Sequence, residues 1–576
     1  MKASDFIALF LEKKGIKHVF ELSGGMITHL LDSLNQNTKI KIVTMHHEQS
    51  ASFAADASGR ILNIPGVALA TSGPGATNLL TGIGNAYFDS VPTIFITGQV
   101  NRHEQKKNKK IRQLGFQETN IVAMAEHITK ASFLINDPSD IPQIFEKAFR
   151  IACEGRPGPV LIDIPMDVQR SDINDETLIS KDDNFAQILN SIPENKLEKL
   201  TKAIKAAKKP LILVGRGIRA SGCKDDFDLF LKRVQVPVIT SLLGLDVIKF
   251  DDKLRVGFIG SYGNRWANIA FGESDLVIVL GSRLDIRQTG ADTKFIEKRK
   301  IFHIDCVKAE INNRVKGCIP IHLDLKSFFN RFDSYTEKNN IQFKLSSSWL
   351  TQINKLKLKW PDTKELSPVG INPNLFIKSL SEISSKAYAY TVDVGSHQMW
   401  AAQSLRLKSN QLFLTSAGMG AMGYSLPAAI GASIAAKNKP VVVIVGDGSM
   451  QLNIQELQTI VRNKLPIKII VMNNQTLGMI RQFQDSYFES RYQSTYWGYD
   501  APDFQKISTA YGVDAMTISA PQEVEQGLNW LWENENEPQL LQVMIDEHTN
   551  TYPKIAFGRP ITDMEPFVKP IEMEGT

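Results

Sequence analysis

One stretch, residues 441–474, constrains the fold of this chain more than any other. Five aliphatic residues, 441–445, are followed by Gly446, Asp447 and Gly448, then by apolar residues at helical spacing, and then by a second apolar run that stops at two asparagines. This pattern predicts a buried strand, a tight turn bearing a carboxylate, a helix and a second buried strand. The stretch therefore indicates a parallel β-α-β unit.

Both strands of such a unit end at the same edge of the sheet, where ligands collect in α/β folds. Asp447 and Asn474 would therefore converge, although 26 residues separate them. A carboxylate, an amide oxygen and a nearby backbone carbonyl form a set of hard oxygen ligands suited to Mg²⁺, whose remaining ligands are usually phosphate and water. Gly446 and Gly448 would let the backbone approach a diphosphate. The alternative interpretation is an ordinary α/β turn with a chance aspartate and asparagine.

Composition excludes several classes of protein. A chain of 576 residues is too long for a single hydrophobic core, so we expect several domains. Its 43% hydrophobic and 22% charged residues are typical of a soluble globular protein. The net charge of +5 is small for this length, and the lysine-rich stretch 106–110 is interpreted as a solvated loop rather than a nucleic-acid site. Four cysteines without metal-ligand spacing, and no apolar run long enough for a membrane span, favour a cytoplasmic protein with reduced thiols.

Strand and helix patterns alternate along the chain and predict an α/β fold with three doubly wound parallel sheets. We expect these domains at residues 1–175, 190–340 and 365–550, followed by an arm, 551–576, lying over the surface. Polar segments at about 170–195 and 336–370 are interpreted as links between the domains.

The opening stretch resembles the magnesium and diphosphate motif of thiamine-diphosphate enzymes, which begins with Gly-Asp-Gly and closes on Asn-Asn. By that resemblance Asp447, Asn474 and the backbone carbonyl of Thr476 hold Mg²⁺. The implied cofactor supplies a thiazolium ylid that acts as nucleophile and electron sink. Gly446 and Gly448 would approach its diphosphate, and Ser449, His397 and Gln398 are further candidates for binding the cofactor.

Glu48 stands between a β-rich run and an alanine-rich helical stretch. A glutamate at a helix start usually complements the helix dipole. Its local sequence, however, resembles the glutamate motif of the same enzyme class. That resemblance implies a carboxyl group against N1′ of the cofactor pyrimidine, which favours the imino tautomer whose 4′-nitrogen takes the proton from thiazolium C2.

A glycine-rich run, residues 416–424, precedes another predicted helix. By itself this is a weak signal, since many such loops have no ligand. By resemblance, the backbone of Gly420 and Met422 binds the pyrimidine edge, and the Met422 side chain holds the cofactor bent so that the 4′-nitrogen lies close to C2. That would be catalysis by positioning.

These motifs in this order resemble the acetohydroxyacid (acetolactate) synthase catalytic subunit and its close relatives. The resemblance is carried by Glu48 and by residues 73–78, 115–118, 281–290, 397–403 and 446–474. It implies that the first domain binds pyrimidine, the third binds diphosphate and the middle one binds FAD in a non-redox role. It also implies a homodimer or tetramer whose site lies between subunits, with Glu48 from one and Asp447 from the other.

The family roles extend to further positions. Gln117 and Phe116 would line the site, with Gln117 bonding substrate, and Gly25 would lie near the thiazolium. Met479, Phe483 and Met166 would face the substrate. The FAD candidates are Gly215, Gly217, Arg283, Asp285, Arg287, Asp305 and Asp324; phosphate-facing glycines and acids at strand ends also suit a dinucleotide on physical grounds.

Three positions depart from the synthase pattern. The synthases carry tryptophan where Phe483 stands and lysine where Met166 stands, and the turn ending at Gly25 also differs. An acceptor without a carboxylate would not need that lysine. The tail, residues 552–560, looks like that of relatives that add a two-carbon unit to the keto group of nucleotide-activated sugars.

The leading hypothesis is a carboligase that decarboxylates pyruvate and transfers the two-carbon unit to a second 2-oxo acid, giving 2-acetolactate, as in branched-chain amino acid biosynthesis. The close alternative is transfer to a keto sugar nucleotide. A simple decarboxylase fits less well, because His46 and His47 directly precede Glu48 instead of following it in a loop. A catalytically inactive scaffold would not need Glu48, Asp447 and Asn474. The resemblance also allows for a separate regulatory subunit as a partner.

Overall fold

The computed structural model describes residues 1–173 and 192–571. Within them, three six-stranded sheets follow one another along the chain, and neighbouring strands in each sheet are parallel. This confirms the predicted fold class of three doubly wound α/β units. Most of the link predicted at 170–195 lies outside the described residues.

The first sheet has the strand order β2-β1-β3-β4-β6-β5. Its strands are β1 (His18–Leu22), β2 (Lys41–Thr44), β3 (Gly66–Ala70), β4 (Thr93–Gln99), β5 (Ala131–Leu134) and β6 (Pro159–Pro165). Its helices are α1 (Ala3–Lys13), α2 (Thr28–Asn37), α3 (Glu48–Leu62), α4 (Pro74–Asn78), α5 (Leu80–Phe88), α6 (Ile121–Ala125), α7 (Ile141–Cys153) and α8 (Met166–Gln169).

The middle sheet has the order β12-β11-β10-β7-β8-β9. Its strands are β7 (Pro210–Val214), β8 (Val238–Thr240), β9 (Arg255–Phe258), β10 (Leu276–Leu280), β11 (Lys300–Asp305) and β12 (Ile319–His322). Its helices are α9 (Glu194–Ala206), α10 (Gly217–Ala220), α11 (Lys224–Val234), α12 (Arg265–Glu273), α13 (Ile286–Thr289), α14 (Lys294–Glu297), α15 (Leu325–Lys338) and α16 (Ser347–Lys359).

The third sheet, β14-β13-β15-β16-β18-β17, repeats the order of the first. Its strands are β13 (Ala389–Val392), β14 (Leu412–Thr415), β15 (Val441–Gly446), β16 (Ile467–Asn473), β17 (Asp514–Ile518) and β18 (Gln539–Met544). Its helices are α17 (Pro373–Ile383), α18 (Ser396–Ser404), α19 (Ser425–Ala435), α20 (Asp447–Leu452), α21 (Glu456–Arg462), α22 (Gly478–Tyr487), α23 (Phe504–Ala510) and α24 (Val524–Leu531).

The central strands read as unbroken apolar runs because both of their faces are buried. In β3, Val67 and Leu69 enter one hydrophobic cluster, whereas Ala68 and Ala70 enter the cluster on the other face. That second cluster continues into the third domain, where α19 packs on α3. A Cβ at Gly431 would lie 2.1 Å from the carbonyl oxygen of Ala54, so only glycine lets these two helices approach so closely.

Three sequence expectations are corrected. The segment 336–370 is not simply a polar link, because α16 within it buries Trp349 and Ile353 in the core of the middle domain. The C-terminal arm, as far as residue 571, does more than lie over the surface. It forms an antiparallel pair, β19 (Lys554–Ile555) with β20 (Met564–Glu565), whose Ile555 and Met564 enter the same core. Finally, no separate turn precedes the helix after β15, since α20 begins at Asp447 itself.

Cys153, Cys223, Cys306 and Cys318 are all free. No helix within residues 1–173 and 192–571 is long and apolar enough to cross a membrane.

Candidate active site

A cavity of about 690 Å³ runs along the carboxyl ends of the middle and third sheets. Every residue that the sequence predicted for cofactor or metal binding lines it, together with Met479 and Phe483. Gly25, Glu48, Phe116, Gln117 and Met166 do not belong to its lining. Within a single chain the candidate residues therefore fall into two groups.

The predicted metal ligands converge at the carboxyl edge of the third sheet, where Asp447 follows β15 and Asn474 follows the neighbouring strand β16. The side-chain oxygen of Asn474 lies 2.9 Å from the carbonyl oxygen of Thr476 and 3.2 Å from Oδ1 of Asp447. Three acceptors this close repel one another unless the amide turns over to donate or a cation binds between them. Neighbouring ligands of octahedral Mg²⁺, at about 2.1 Å from the ion, lie about 3 Å apart, so the three oxygens fit this cation.

This set contains a single carboxylate. Within residues 1–173 and 192–571, no three histidine, cysteine, aspartate or glutamate side chains approach closely enough to hold a metal ion. An amide and a carbonyl would supply the other oxygens of a metal site here, a set that suits a hard cation better than zinc or copper.

Asp447 is nearly inaccessible, and burial raises the pKa of its carboxyl to about 6. The hydroxyl of Tyr499 donates to its Oδ2 over 2.9 Å, which opposes that rise and leaves Oδ1 facing the amide of Asn474. Such an outer hydrogen bond orients a metal-binding carboxylate. No local sequence pattern pointed to Tyr499, because 51 residues separate it from Asp447.

The diphosphate candidates surround these oxygens. His397 is buried, its Nε2 has no hydrogen-bond partner among the described residues, and burial lowers the pKa of its imidazole to about 3, so the ring is neutral. A Cβ at Gly446 would come within 2.7 Å of Nδ1 of His397. The ring therefore packs directly on the Gly446 backbone, with an unsatisfied nitrogen on the cavity wall.

The loop of residues 416–423, called here the glycine-rich loop, connects β14 to α19 along the same cavity. Gly420 has φ +67° and Gly423 has φ +82°, conformations that favour glycine. The buried carboxylate of Asp393 accepts from the backbone nitrogens of Gly423 and Ser425 at 2.9 and 2.7 Å. These bonds fix the end of the loop that carries Met422.

The middle sheet has the strand order, 3-2-1-4-5-6 when counted within the domain, that is common among dinucleotide-binding folds. Gly215 and Gly217 follow β7, and Arg283 and Asp285 follow β10, so these candidates meet at the switch point between the two strands. A Cβ at Gly215 would lie 2.3 Å from the carbonyl oxygen of Gly281. Both glycines are thus required by close backbone packing as well as by any phosphate.

Two aspartates beside this switch point, Asp305 and Asp324, could accept hydrogen bonds from a ligand. Asp324 caps α15 by accepting from Ser327, while its buried Oδ2 has no partner among the described residues. Asp305 accepts from the backbone of Val307, and burial raises the pKa of its carboxyl. Two acids that could accept from ribose hydroxyls therefore face the cavity beside the glycines, a set that fits a dinucleotide.

The remaining candidates lie at the carboxyl edge of the first sheet. Glu48 begins α3 and is 7% exposed, and its Oε2 accepts from the Asn78 amide at 2.9 Å. Gly75 lies against it, since a Cβ there would be 3.2 Å from Oε1. Glu48 is thus the first residue of a helix, where it complements the helix dipole, and it is also a buried acid at the carboxyl edge of the first sheet.

Gln117 adopts φ +65° and packs on Gly73, where a Cβ would come within 2.9 Å of its own Cβ. Phe116 beside it is 80% exposed. Gly25 is exposed at the end of β1, and Met166 follows β6, whose Pro165 pairs with Gln99 of β4. These four residues therefore share the sheet edge of Glu48, without lining the cavity of Asp447.

Three domain models for thiamine pyrophosphate enzymes match the chain: the N-terminal thiamine pyrophosphate binding domain at residues 1–124, the central domain at 197–332 and the C-terminal thiamine pyrophosphate binding domain at 393–543. The acetolactate synthase large subunit of Lactococcus lactis is 36% identical over 560 residues, covering 96% of this chain and 94% of that protein. Acetolactate synthase 2 of tobacco is 36% identical over 572 residues, covering 98% and 85%.

This chain belongs to the acetolactate synthase family of thiamine pyrophosphate enzymes. It is a thiamine-diphosphate-dependent, acetolactate synthase-like carboligase, as the sequence motifs predicted. In this family member, the matched N-terminal domain contains the Glu48 edge and the matched C-terminal domain contains the Asp447 edge.

In this synthase-like protein, Met479 and Phe483 lie on α22, one helical turn apart, and both line the cavity. Phe483 is 38% exposed and its ring contacts that of Tyr487 at a centroid distance of 4.7 Å. The aromatic position is therefore retained as phenylalanine within a small aromatic cluster.

Proposed function

We propose that the protein is a Mg²⁺-dependent carboligase that takes pyruvate as donor and a second 2-oxo acid as acceptor, giving 2-acetolactate for branched-chain amino acid biosynthesis. The observation that carries the proposal is the convergence of the oxygens of Asp447, Asn474 and Thr476 in a cavity that Met422 also lines. The relatives named acetolactate synthase support the choice of product.

Asp447, Asn474 and Thr476 would hold Mg²⁺, while Nε2 of His397, Gln398 and the backbone at Gly446, Gly448 and Ser449 would receive the diphosphate. When bound, thiamine diphosphate supplies the nucleophilic carbon and the electron sink for decarboxylation. Met422 would support the cofactor in its bent form, because the glycine-rich loop is held by Asp393.

Glu48 would share a proton with N1′ of the pyrimidine, and Gln117 would orient the substrate. Since neither lines the cavity of Asp447 in its own chain, we propose that a second copy supplies them in a homodimer or tetramer. The exposed ring of Phe116, with Ile111 and Leu114 each 44% exposed nearby, supports an interface there. The name "large subunit" of the Lactococcus lactis relative supports the proposal of a regulatory partner as well.

FAD would lie in the middle domain, at Gly215, Gly217, Arg283, Asp285, Arg287, Asp305 and Asp324, in a structural role. The strand order of that sheet and the unpartnered Oδ2 of Asp324 support this assignment. A non-redox role agrees with a net reaction that transfers no electrons.

The test is the product formed from pyruvate alone by protein loaded with thiamine diphosphate, Mg²⁺ and FAD. We expect 2-acetolactate and carbon dioxide. Acetaldehyde as the sole product would indicate a decarboxylase instead, and absence of any turnover on pyruvate, alone or with a second carbonyl compound, would contradict the proposed reaction.

A second candidate acceptor is a keto sugar nucleotide, favoured by the loop before Gln117. Residues 106–112 carry five lysine and arginine side chains and no acid, as much positive charge as the net charge of the whole chain. Glu118 accepts from the backbone nitrogens of Lys106 and Leu114 at 2.6 and 2.7 Å, so this loop and Gln117 form one unit. A diphosphate lies several bonds from the reacting keto carbon and would suit cations outside the site, whereas Met166 offers none within it.

This alternative is tested with pyruvate plus a nucleoside-diphosphate keto sugar. If it holds, turnover on the sugar exceeds acetolactate formation, and Lys109→Gln with Lys110→Gln raises KM for the sugar about tenfold. The control pair Lys344→Gln with Lys355→Gln makes the same charge change on exposed lysines of the middle domain. Equal effects from both pairs would contradict a specific role for the loop.

A further inference from the structure

A cluster of buried charges joins all three domains beside the cavity. Its centre is Asp89, the residue that follows α5 and is 2% exposed. Its Oδ1 accepts from the backbone nitrogen of Gly418 at 2.7 Å, and its Oδ2 from Ala417 at 3.1 Å. One first-domain carboxylate thus holds the beginning of the glycine-rich loop, whose other end is held by Asp393.

The same residue also contacts the middle domain. The Nε of Arg216 donates to the backbone carbonyl oxygen of Asp89 over 2.7 Å. Arg216 stands between Gly215 and Gly217, which pack on Gly281 at the switch point of the middle sheet. Burial, assisted by the nearby Arg60, lowers the pKa of Arg216 to about 10, so the guanidinium remains charged at neutral pH.

Neighbouring groups satisfy the remaining charges. Arg60 donates to Asp89 at 3.0 Å and to Asp56 at 2.6 Å, and Tyr424 donates to Asp56 at 2.9 Å. Burial opposes the charge on Arg60, but the surrounding anions outweigh it and raise its pKa. The cluster is therefore a balanced set of two acids and two arginines, in which only Asp89 contacts both the glycine-rich loop and Arg216.

We infer that Asp89 is a positioning residue that couples the flavin end of the cavity to its thiamine end. Arg216 lies between Gly215 and Gly217 at the flavin end and lines the cavity there. Its guanidinium holds the backbone of Asp89, and the Asp89 carboxylate sets the loop that carries Gly420 and Met422. FAD binding then raises the affinity for thiamine diphosphate, and thiamine diphosphate raises the affinity for FAD by the same factor, as linkage requires. The coupling rests on the proposed FAD site, whereas the effect of Asp89 on the loop does not.

Binding, rather than turnover, provides the test. Titrations of thiamine diphosphate with Mg²⁺, followed by calorimetry with and without saturating FAD, give its Kd for wild type, Asp89→Asn and Arg216→Gln. In Asp89→Asn an amide NH₂ faces the backbone N–H groups or Arg60, donor against donor. We expect its Kd to rise about tenfold even without FAD, and Arg216→Gln to abolish the effect of FAD while changing the FAD-free Kd less than threefold.

Asp56→Asn is the matched control, since Asp56 belongs to the same buried cluster and bonds Arg60 and Tyr424, but it bonds no residue within 416–423 and does not bond Arg216. We expect it to lower the melting temperature about as much as Asp89→Asn while retaining the wild-type Kd and FAD effect.

An equal rise of Kd in both variants, or none in Asp89→Asn, overturns the positioning role. An FAD effect that persists in Arg216→Gln, or its absence in wild type, overturns the coupling. If Asp89→Asn does not fold, Asp89→Glu and Arg216→Gln carry the test. Failure of acetolactate formation leaves these binding results intact, so the two proposals fail separately.

Discussion

The first and third sheets have the same strand order, yet their carboxyl edges carry different chemistry. The first presents Glu48, a lone acid bonded to one amide, Asn78. The third presents Asp447 facing two further oxygens and bonded to one phenol, Tyr499. The same topology thus provides one edge suited to sharing a proton and another suited to a cation. The residue types at the strand ends, rather than the fold, therefore determine which chemistry each sheet edge supports.

The largest expected effect breaks one edge at a time. Glu48→Gln and Asp447→Asn should each lower kcat by about a thousandfold or more, the first because a proton-sharing acid is lost and the second because Mg²⁺ loses its only carboxylate. Steady-state kinetics with pyruvate measures both. Folding, followed by circular dichroism, should change little, and retained activity in either variant would contradict its assigned role.

Mixing the two variants tests whether Glu48 and Asp447 of one site come from different copies of the chain. If each site combines Glu48 of one copy with Asp447 of another, a mixed dimer contains one intact site. Co-refolded equal amounts should then recover about a quarter of wild-type activity, because half of the dimers are mixed and each has one of its two sites intact. No recovery in demonstrably mixed dimers would show that both acids act within one chain.

A smaller effect is expected from the side chain that donates a hydrogen bond to each acid, Tyr499 to Asp447 and Asn78 to Glu48. Tyr499→Phe should weaken Mg²⁺ binding about tenfold, because Asp447 loses the hydroxyl that orients it. Asn78→Ala should leave Mg²⁺ affinity unchanged and lower kcat instead. Calorimetric Mg²⁺ titrations in the presence of thiamine diphosphate distinguish them, and identical profiles would mean that the two edges are not functionally separate.

The smallest effect on activity concerns stability and pH. In the first sheet, burial raises the pKa of Asp163 to about 7, against the hydrogen bonds from Thr97 and Gln99, while the matching strand of the third sheet buries the neutral Gln542. Between about pH 4 and 7 the unfolded chain releases the Asp163 proton and the folded chain keeps it, so stability falls as pH rises and is level above pH 7.

Asp163→Asn should therefore gain about 2–4 kcal/mol relative to wild type as pH rises from 4 to 7. Gln542→Glu should introduce the same fall in the third domain. Urea unfolding at several pH values measures both differences. A flat difference for Asp163→Asn would mean that the carboxyl is already ionised in the folded protein.

Much of the fold could be predicted because it depends on short-range patterns. The apolar runs of β3, β7 and β15 were visible, since strands buried on both faces tolerate few polar residues. The edge strands β5, β9, β12, β14 and β17 are harder to recognise in the sequence, because such strands are short and carry less regular patterns. The helix α16 was hidden in a polar segment, since only two of its residues need burial.

The three α/β domains, the family and the residues at the strand ends could be predicted from the amino-acid sequence, because local runs and motif spacing carry that information. Which of those residues meet became visible in the folded chain. The tertiary structure separated Glu48 from Asp447 within one chain, and it joined Asp447 to Tyr499 and Asp89 to the glycine-rich loop. Contacts between residues dozens or hundreds of positions apart depend on how the sheets and loops pack, and no local pattern records that packing.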